Sequence, residues 1–215
     1  MTNYDKMKIL LEQYLAEHGY SIEIESNLHD TSINKSNLQN ISYLYNMNGT
    51  ELKVIDMDVI AQKGYRLIKF PQSKKLEDSV SSADAFLINK GGDWFFIEFK
   101  DQVAANAKTK ASVTKKAYQN WYWLLDILYE MRTELDKDFF DFENPVEFAK
   151  NHVTYILVVS KEKNENIVRK IHECILAGGK YKLPYLEKLE KYIFKEVYVY
   201  TPEYFRREFV EKFEY

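Results

Sequence analysis

Three residues in the first half of the chain have the types and the spacing of a hydrolytic metal site. Asp84 precedes an apolar run, and Glu98 and Lys100 stand two positions apart in the aromatic run Trp94-Phe95-Phe96-Ile97-Glu98-Phe99-Lys100. Side chains alternate between the two faces of a strand, so Glu98 and Lys100 share one face with apolar neighbours. A carboxylate and an ammonium on such a face are expected to pair with each other or to bind something.

Two carboxylates beside a lysine suit the metal-assisted hydrolysis of a phosphodiester bond. Carboxylate oxygens hold a hard cation such as Mg²⁺, which keeps several waters in its shell. The cation polarises the phosphate and lowers the pKa of the attacking water. The lysine orients that water or stabilises the developing charge. Asp84, Glu98 and Lys100 are therefore the candidate catalytic residues.

The number of residues in the turn between the two apolar runs determines whether Asp84 faces the same side as Glu98 and Lys100. The segment Lys90-Gly91-Gly92-Asp93 lies between the runs and predicts a β-hairpin, because glycine accepts positive φ. A regular two-residue turn would place Asp84 opposite Phe99, facing away from Glu98. A three-residue or bulged connection would place it opposite Glu98 or Lys100. The catalytic hypothesis therefore predicts an odd or bulged connection.

The periodicity of apolar residues predicts the elements that surround the hairpin. Strands are expected within 52–60 and over 65–70, 85–89, 94–100, 153–160 and 196–200, and helices over 4–17, 112–131, 164–176, 185–192 and 202–213, with a further short helix within 133–151. The stretches 26–49 and 72–82 are expected to be mainly loops. This order predicts a mixed α/β fold in one domain covering residues 1–215.

Over about residues 50 to 160, the chain resembles the core of the PD-(D/E)xK nuclease superfamily. The resemblance rests on Ser82-Ala83-Asp84-Ala85-Phe86-Leu87, the Gly91-Gly92 turn and Ile97-Glu98-Phe99-Lys100. It implies a restriction-endonuclease-like αβββαβ core, a mixed sheet flanked by helices, which here would be followed by a C-terminal extension of helices and a strand. Ala83 stands where the family often has proline.

The resemblance also implies roles for individual residues. Asp84 and Glu98 would ligate Mg²⁺ or Mn²⁺, the carbonyl of Phe99 would complete the metal shell, and Lys100 would be the catalytic lysine. In several branches of the superfamily a polar residue of the following helix, often glutamine, assists the site, so Gln119 is an accessory candidate. The implied activity is hydrolysis of phosphodiester bonds in nucleic acid, with DNA as the expected partner.

A basic stretch follows the motif. Residues 102–125 include no acidic residue, and four lysines fall there: Lys108, Lys110, Lys115 and Lys116. Near the end of the hairpin they could guide a phosphate backbone. A solvated lysine face over an aromatic core is an equal alternative.

Other acidic residues are weaker candidates. Glu12 or Glu17 of the first helix could supply an additional carboxylate, as in some branches of the superfamily, although a solvated helix flank is favoured for both. Asp56 and Asp58 alternate within an earlier β-type segment and could form a second acidic pair, although an exposed edge is the preferred interpretation.

Composition narrows the function classes. A net charge of −3 and a pI near 5.9 argue against non-specific coating of nucleic acid. The single cysteine, Cys174, excludes an intrachain disulfide and a thiolate zinc cluster, and it suits the cytoplasm. The apolar runs are too short to span a bilayer, so no membrane partner is expected. No phosphate-binding loop or dinucleotide fingerprint occurs.

Two functions stay open on this basis. The first is a metal-dependent nuclease. The second is a nuclease-like domain without activity that serves as a nucleic-acid- or protein-binding module. The sequence also leaves open whether the chain forms a homodimer.

Overall fold

A six-stranded mixed sheet lies at the centre of the computed structural model, which describes residues 1–34, 42–46, 52–72, 79–136 and 139–215. The strands in chain order are β1 (Glu25–Asn27), β2 (Ile33–Asn34), β3 (Ser42–Tyr43), β4 (Lys53–Asp56), β5 (Ala85–Ile88), β6 (Trp94–Lys100), β7 (Val153–Val159) and β8 (Glu196–Tyr200). The central sheet has the order β1-β4-β5-β6-β7-β8, and β2 and β3 form a separate two-stranded ribbon.

Helices flank this sheet. They are α1 (Asn3–Glu17), α2 (Leu28–Thr31), α3 (Met57–Val59), a π-helical turn (Ile60–Tyr65), α4 (Arg66–Lys69), α5 (Ala107–Glu130), α6 (Pro145–His152), α7 (Glu165–Leu176), α8 (Pro184–Tyr192), α9 (Pro202–Glu208) and a 3₁₀ turn (Val210–Lys212). Within the described ranges, no helix is long and apolar enough to cross a membrane.

The pairing of neighbouring strands switches from antiparallel to parallel at β6. The pairs β1–β4, β4–β5 and β5–β6 are antiparallel, whereas β6–β7 and β7–β8 are parallel. Parallel neighbours need a long crossover, and α5 with α6 supplies the one from β6 to β7. The end of β6 lies only a few residues before the start of α5 in the chain. Side chains of the two elements can therefore lie next to each other.

Aromatic side chains cover both faces of β6. On one face the Trp94 ring contacts Trp121 of α5, with ring centroids 6.3 Å apart. On the other face Phe95 contacts Phe209, with centroids 5.0 Å apart. The neighbouring strand β7, which the sequence predicts as a strand over 153–160, is buried along its whole length, as expected of a strand covered on both faces.

The hairpin has a three-residue connection. Phe86 lies opposite Phe96, and Asn89 donates its N–H to Asp93 O at 3.0 Å, leaving Lys90, Gly91 and Gly92 as the loop. Gly92 adopts φ +84°, the left-handed conformation that closes such a loop. The predicted odd connection is confirmed.

One predicted strand is wrong. Residues 65–69 belong to the helical segment formed by α3, the π-helical turn and α4, which ends before Phe70, and the strand expected within 52–60 ends at Asp56. The buried residues Ile60, Ala61, Gly64 and Tyr65 recur at a helical spacing, which the β-branched neighbours obscured. Gly64 is needed because a side chain there would collide with Leu15 of α1.

Other boundaries differ less. Helix α5 begins at Ala107, five residues before its predicted start, because Asn106 caps it by accepting the Lys108 N–H at 2.8 Å. The predicted loop over 26–49 includes β1, α2, β2 and β3, and its segments 35–41 and 47–49 lie outside the described residues. The predicted loop over 72–82 is described only at residue 72 and from residue 79 onward.

Gly92→Ala should destabilise the fold by about 1–2 kcal/mol, the cost of left-handed backbone for a residue with a Cβ. A Cβ at Gly92 would meet only Asn3 Nδ2 at 3.6 Å, an ordinary contact, so backbone strain dominates. Gly91→Ala is the matched control in the same turn, since φ of Gly91 is not positive. Urea denaturation measures both variants, and equal free energies of unfolding would contradict the prediction.

Candidate active site

Asp84 and Glu98 meet on one face of the sheet. The β5–β6 register, with Ala85 opposite Ile97, continues so that Asp84 lies opposite Glu98. Hydrogen bonds hold both the backbone and the side chain of Asp84. Its N–H donates to Ile97 O at 3.0 Å, and its Oδ2 accepts the Phe99 N–H at 2.6 Å. The two carboxylates that the sequence analysis selected are therefore neighbours.

Two ammonium groups contact these carboxylates. Lys100 Nζ lies 2.6 Å from Glu98 Oε1, as the shared face predicts. Lys116 of α5 reaches the same place, with Nζ 3.1 Å from Asp84 Oδ1 and 2.9 and 3.0 Å from Glu98 Oε1 and Oε2. Lys116 thus bridges the carboxylates, and the four formal charges sum to zero.

Burial makes this charge balance necessary. The Glu98 side chain is 0% exposed and that of Asp84 is 13% exposed. An unpaired charge at such depth would be strongly unfavourable. Burial, and then the charge of Glu98, raise the pKa of Asp84 to about 7, although Lys116 opposes the shift. Burial alone would lower the pKa of Lys116, but Asp84 and Glu98 outweigh it and raise that pKa.

Three side chains of α5 hold the segment that leads into Asp84. Gln119 Oε1 accepts the Ser81 N–H at 3.0 Å, and Trp123 Nε1 donates to Ser81 O at 3.2 Å. Asn120 Oδ1 accepts the Ala83 N–H at 3.0 Å. Asp84 is therefore positioned by hydrogen bonds from the same helix that carries Lys116.

The role of Asn120 did not emerge from the sequence analysis. Asn120 is completely buried and lies one helical turn after Lys116. A polar residue on the apolar face of an amphipathic helix is the signal that could have revealed it, since such a residue needs a buried partner.

Asp58 also lies beside the site. Ser82 Oγ donates to Asp58 Oδ1, which ties the segment before Asp84 to α3. Asp56 caps α3 by accepting the Val59 N–H at 2.8 Å. The exposed-edge interpretation of these two residues is therefore wrong, because Asp56 ends β4, which pairs with β1 and β5 on its two sides, and Asp58 lies in α3.

A cleft of about 280 Å³ opens next to the charged groups. One wall consists of residues 31–34, at the end of α2 and in β2. The other includes Asp84, Lys100 and Lys116, with Asp58 at the side. The side chains of Lys100 and Lys116 are 14% and 19% exposed, so both lysines keep limited access to the cleft.

The remaining predicted residues lie elsewhere. Gln119 is one turn from Lys116 but is bonded to Ser81, so its accessory role stays a prediction. Lys108, Lys110 and Lys115 are exposed on α5, whereas Lys116 turns inward, away from the basic surface with which it was grouped. Nucleic-acid contact by these lysines stays a prediction.

The two glutamates of the first helix lie on α1. Glu12 is 4.0 Å from Lys8, and Glu17 is exposed. Neither is among the residues that line the cleft.

The donor chemistry of the site fits a hard cation. No group of three or more His, Cys, Asp and Glu side chains suited to a metal occurs in the described part of the chain. The two carboxylates remain, and Glu98 Oε1 receives no well-aligned hydrogen bond from the described groups despite the nearby ammonium groups. Mg²⁺ is commonly held by one or two carboxylates and several waters.

The Phe99 carbonyl is oriented toward this pair of carboxylates. Lys100 O accepts the Ser160 N–H at 3.1 Å on the β7 side, and successive carbonyls of a strand point in opposite directions. The Phe99 carbonyl therefore points to the β5 side, where Asp84 lies. This orientation agrees with the ligand role that the resemblance implies.

Comparison of the chain with protein-family models, with curated proteins and with solved structures found no match.

Lys116→Met should destabilise the protein by about 3 kcal/mol near pH 8, because it leaves two buried carboxylate charges with less compensation. Near pH 5 the loss should be smaller. The folded-state pKa of Asp84 exceeds its unfolded value, so its ionisation reduces stability as the pH rises through about 7. Without Lys116, which opposes the shift, the pKa of Asp84 should rise further.

Urea denaturation at both pH values and carboxyl-carbon NMR measure these effects. Lys115→Met, at the exposed neighbouring position, is the control and should change neither quantity. A Lys116→Met variant as stable as Lys115→Met at both pH values would contradict the bridging role.

Proposed function

We propose that this protein is a metal-dependent phosphodiesterase with a restriction-endonuclease-like architecture, acting on DNA. The observation that carries the proposal is the meeting of Asp84, Glu98 and Lys100 beside a cleft. These three residues come from two strands and have the donor types that metal-assisted phosphodiester hydrolysis requires.

The order and direction of the elements support the proposal. Helix α1 precedes the antiparallel strands β4, β5 and β6, and α5 then leads to the parallel strand β7. If β1 to β3, the helical segments between β1 and β5, and α6 are treated as insertions, this order corresponds to αβββαβ, with β8 and the helices α7 to α9 as the C-terminal extension. The candidate carboxylates occupy β6 and the residue before β5, as the resemblance implies.

Asp84 and Glu98 would hold Mg²⁺ or Mn²⁺, together with the Phe99 carbonyl. When bound, the cation would polarise the phosphate and lower the pKa of an attacking water.

Lys100 has the position of a group that acts on the reacting phosphate. Its Nζ lies 2.6 Å from Glu98 Oε1, and its side chain retains access to the cleft. An ammonium has three donors, so a bond to Glu98 leaves donors for a phosphate oxygen or a water. Lys100 would therefore orient the water or stabilise the charge that develops on the phosphate.

Lys116 would hold the carboxylates in place. Its ammonium touches three carboxylate oxygens and offsets the repulsion between Asp84 and Glu98. Lys116 is therefore a positioning residue, because it acts through the two carboxylates.

The same lysine favours a second candidate function. The Lys116 ammonium group already lies between the two carboxylates, and the described residues offer no third metal-binding side chain. Both features fit a nuclease-like domain that binds nucleic acid or protein without metal. Titration calorimetry with Mn²⁺ separates the two functions, because a binding module should show no binding that depends on Asp84.

Cleavage of labelled DNA in Mg²⁺ or Mn²⁺ should fall about 10²–10³-fold in Glu98→Gln, Asp84→Asn and Lys100→Met, since each removes a group that acts on the metal or the developing charge. Glu187→Gln, at an exposed position of α8, is the control and should cleave at the parent rate. Gel assays measure the rates. Persistent cleavage in Glu98→Gln would rule out the assigned site.

Mn²⁺ affinity should depend on pH in a way that identifies Asp84 as a ligand. Below about pH 7 the Asp84 carboxyl is protonated, so the cation must displace a proton and its affinity should fall about tenfold per pH unit. Above that value the affinity should level off. Calorimetry near pH 6 and pH 8 measures the change, and Asp84→Asn should bind weakly at both. Equal parent affinities at the two pH values would exclude Asp84 as a ligand.

A further inference from the structure

We infer that the candidate site takes single-stranded DNA or an unpaired strand end, and excludes an intact duplex. This inference rests on the proposed function and names the substrate class of the same site. Its basis is the ribbon of β2 and β3, which contributes residues to one side of the cleft, together with an exposed tyrosine in the adjacent groove.

The ribbon is tied to the strand that carries the candidate lysine. Asn34 Nδ2 in β2 donates to Asp101 Oδ2 at 2.7 Å, and Asp101 directly follows Lys100. Lys163 Nζ binds the same oxygen at 2.9 Å. These bonds close one side of the cleft next to the charged groups.

The other end of the ribbon is anchored in the core. Leu44 N–H donates to Ser32 O at 3.1 Å, directly beyond the β2–β3 pairing. Tyr45 is buried, with its ring centroid 5.6 Å from that of Phe205 on the face of the sheet opposite Glu98. The ribbon is therefore fixed on both sides, and residues 31–34 form a true wall of the cleft.

Because the carboxylates are buried, the wall formed by residues 31–34 limits which substrates can reach them. A phosphate must enter the cleft to approach Asp84, because the side chain is only 13% exposed and Glu98 behind it is not exposed at all. The cleft volume of about 280 Å³ lies near the lower limit of small-ligand pockets, about 300 Å³. Such a space accepts about one nucleotide.

A duplex cannot place a nucleotide there without breaking its pairing and stacking. The phosphates of a duplex lie on its outer surface, but the paired strand prevents a nucleotide from entering a cleft of this size. Extrusion of a nucleotide from a duplex costs a few kcal/mol. A single strand enters without that cost, because its backbone turns freely. The recessed site therefore discriminates against the duplex.

A groove next to the cleft offers a surface for an adjacent base. The groove and the cleft share Leu44 and Asp101, and Tyr43 and Lys161 line the groove. The Tyr43 ring stacks on His29, with centroids 3.9 Å apart and planes 20° apart, yet Tyr43 remains 37% exposed. Aromatic rings in this position bind single strands by stacking, largely independently of sequence. Tyr43 would thus hold the nucleotide next to the one in the cleft.

The test compares three labelled DNA substrates of one sequence in Mn²⁺: a single strand, a blunt duplex and a duplex with a single-stranded overhang. We expect the single strand and the overhang to be cleaved at least about tenfold faster than the blunt duplex, which follows from the unpairing cost. Equal or faster cleavage of the blunt duplex would overturn the inference while leaving the proposed function intact. Cleavage of none of the substrates would overturn the proposed function, and the inference with it.

Two variants of Tyr43 test the stacking surface. Tyr43→Ala should raise KM for the single strand about 5-fold to 150-fold, because loss of one base–aromatic stack costs about 1–3 kcal/mol, while kcat should hold. Tyr43→Phe keeps the ring and should match the parent. Tyr192→Ala removes another exposed tyrosine, on α8, and controls for general surface effects. An unchanged KM in Tyr43→Ala would remove Tyr43 from the binding surface.

Discussion

The organisation of this molecule depends on the burial of two carboxylates next to each other. Asp84 and Glu98 face each other across the hairpin with little or no exposure to solvent. Two negative charges at this depth repel each other and lose their hydration, so the fold must supply positive charge at close range. Lys100 provides part of it from the same strand. Lys116 provides the rest, and it comes from a separate helix.

This electrostatic requirement determines where α5 must lie. Lys116 reaches both carboxylates only if the first half of α5 passes over the C-terminal end of β6. The next turn of the helix then holds residues 81–83 through Gln119, Asn120 and Trp123. Further along, Trp121 packs against Trp94 in the core. One helix thus sets the charge balance, the position of Asp84 and the packing of one sheet face.

Much of this arrangement could be predicted from local sequence, and the exceptions have physical reasons. The hairpin, β6 and β7 show strong patterns, and the need for an odd turn follows from strand alternation, which Gly92 satisfies. The helical spacing of Ile60–Tyr65 is obscured by β-branched neighbours, and the close approach of Gly64 to Leu15 is set only by the tertiary fold. Lys116 resembled three exposed lysines nearby. Helical periodicity places Lys116 beside the apolar stripe of α5, one turn before Asn120, but its partners Asp84 and Glu98 are set only by the tertiary fold.

The balance of charges at the site also explains how a protein with a net negative charge could bind a polyanion. The protein carries a net charge of −3, and the two carboxylates and two ammonium groups of the site cancel. Asp101 beside them is neutralised by Lys163. A phosphate therefore finds no excess positive charge in the cleft formed by these residues. A divalent cation held by Asp84 and Glu98 would create that excess at the reacting position alone. Binding of substrate would then depend on the metal, and long-range attraction by the whole surface would contribute little.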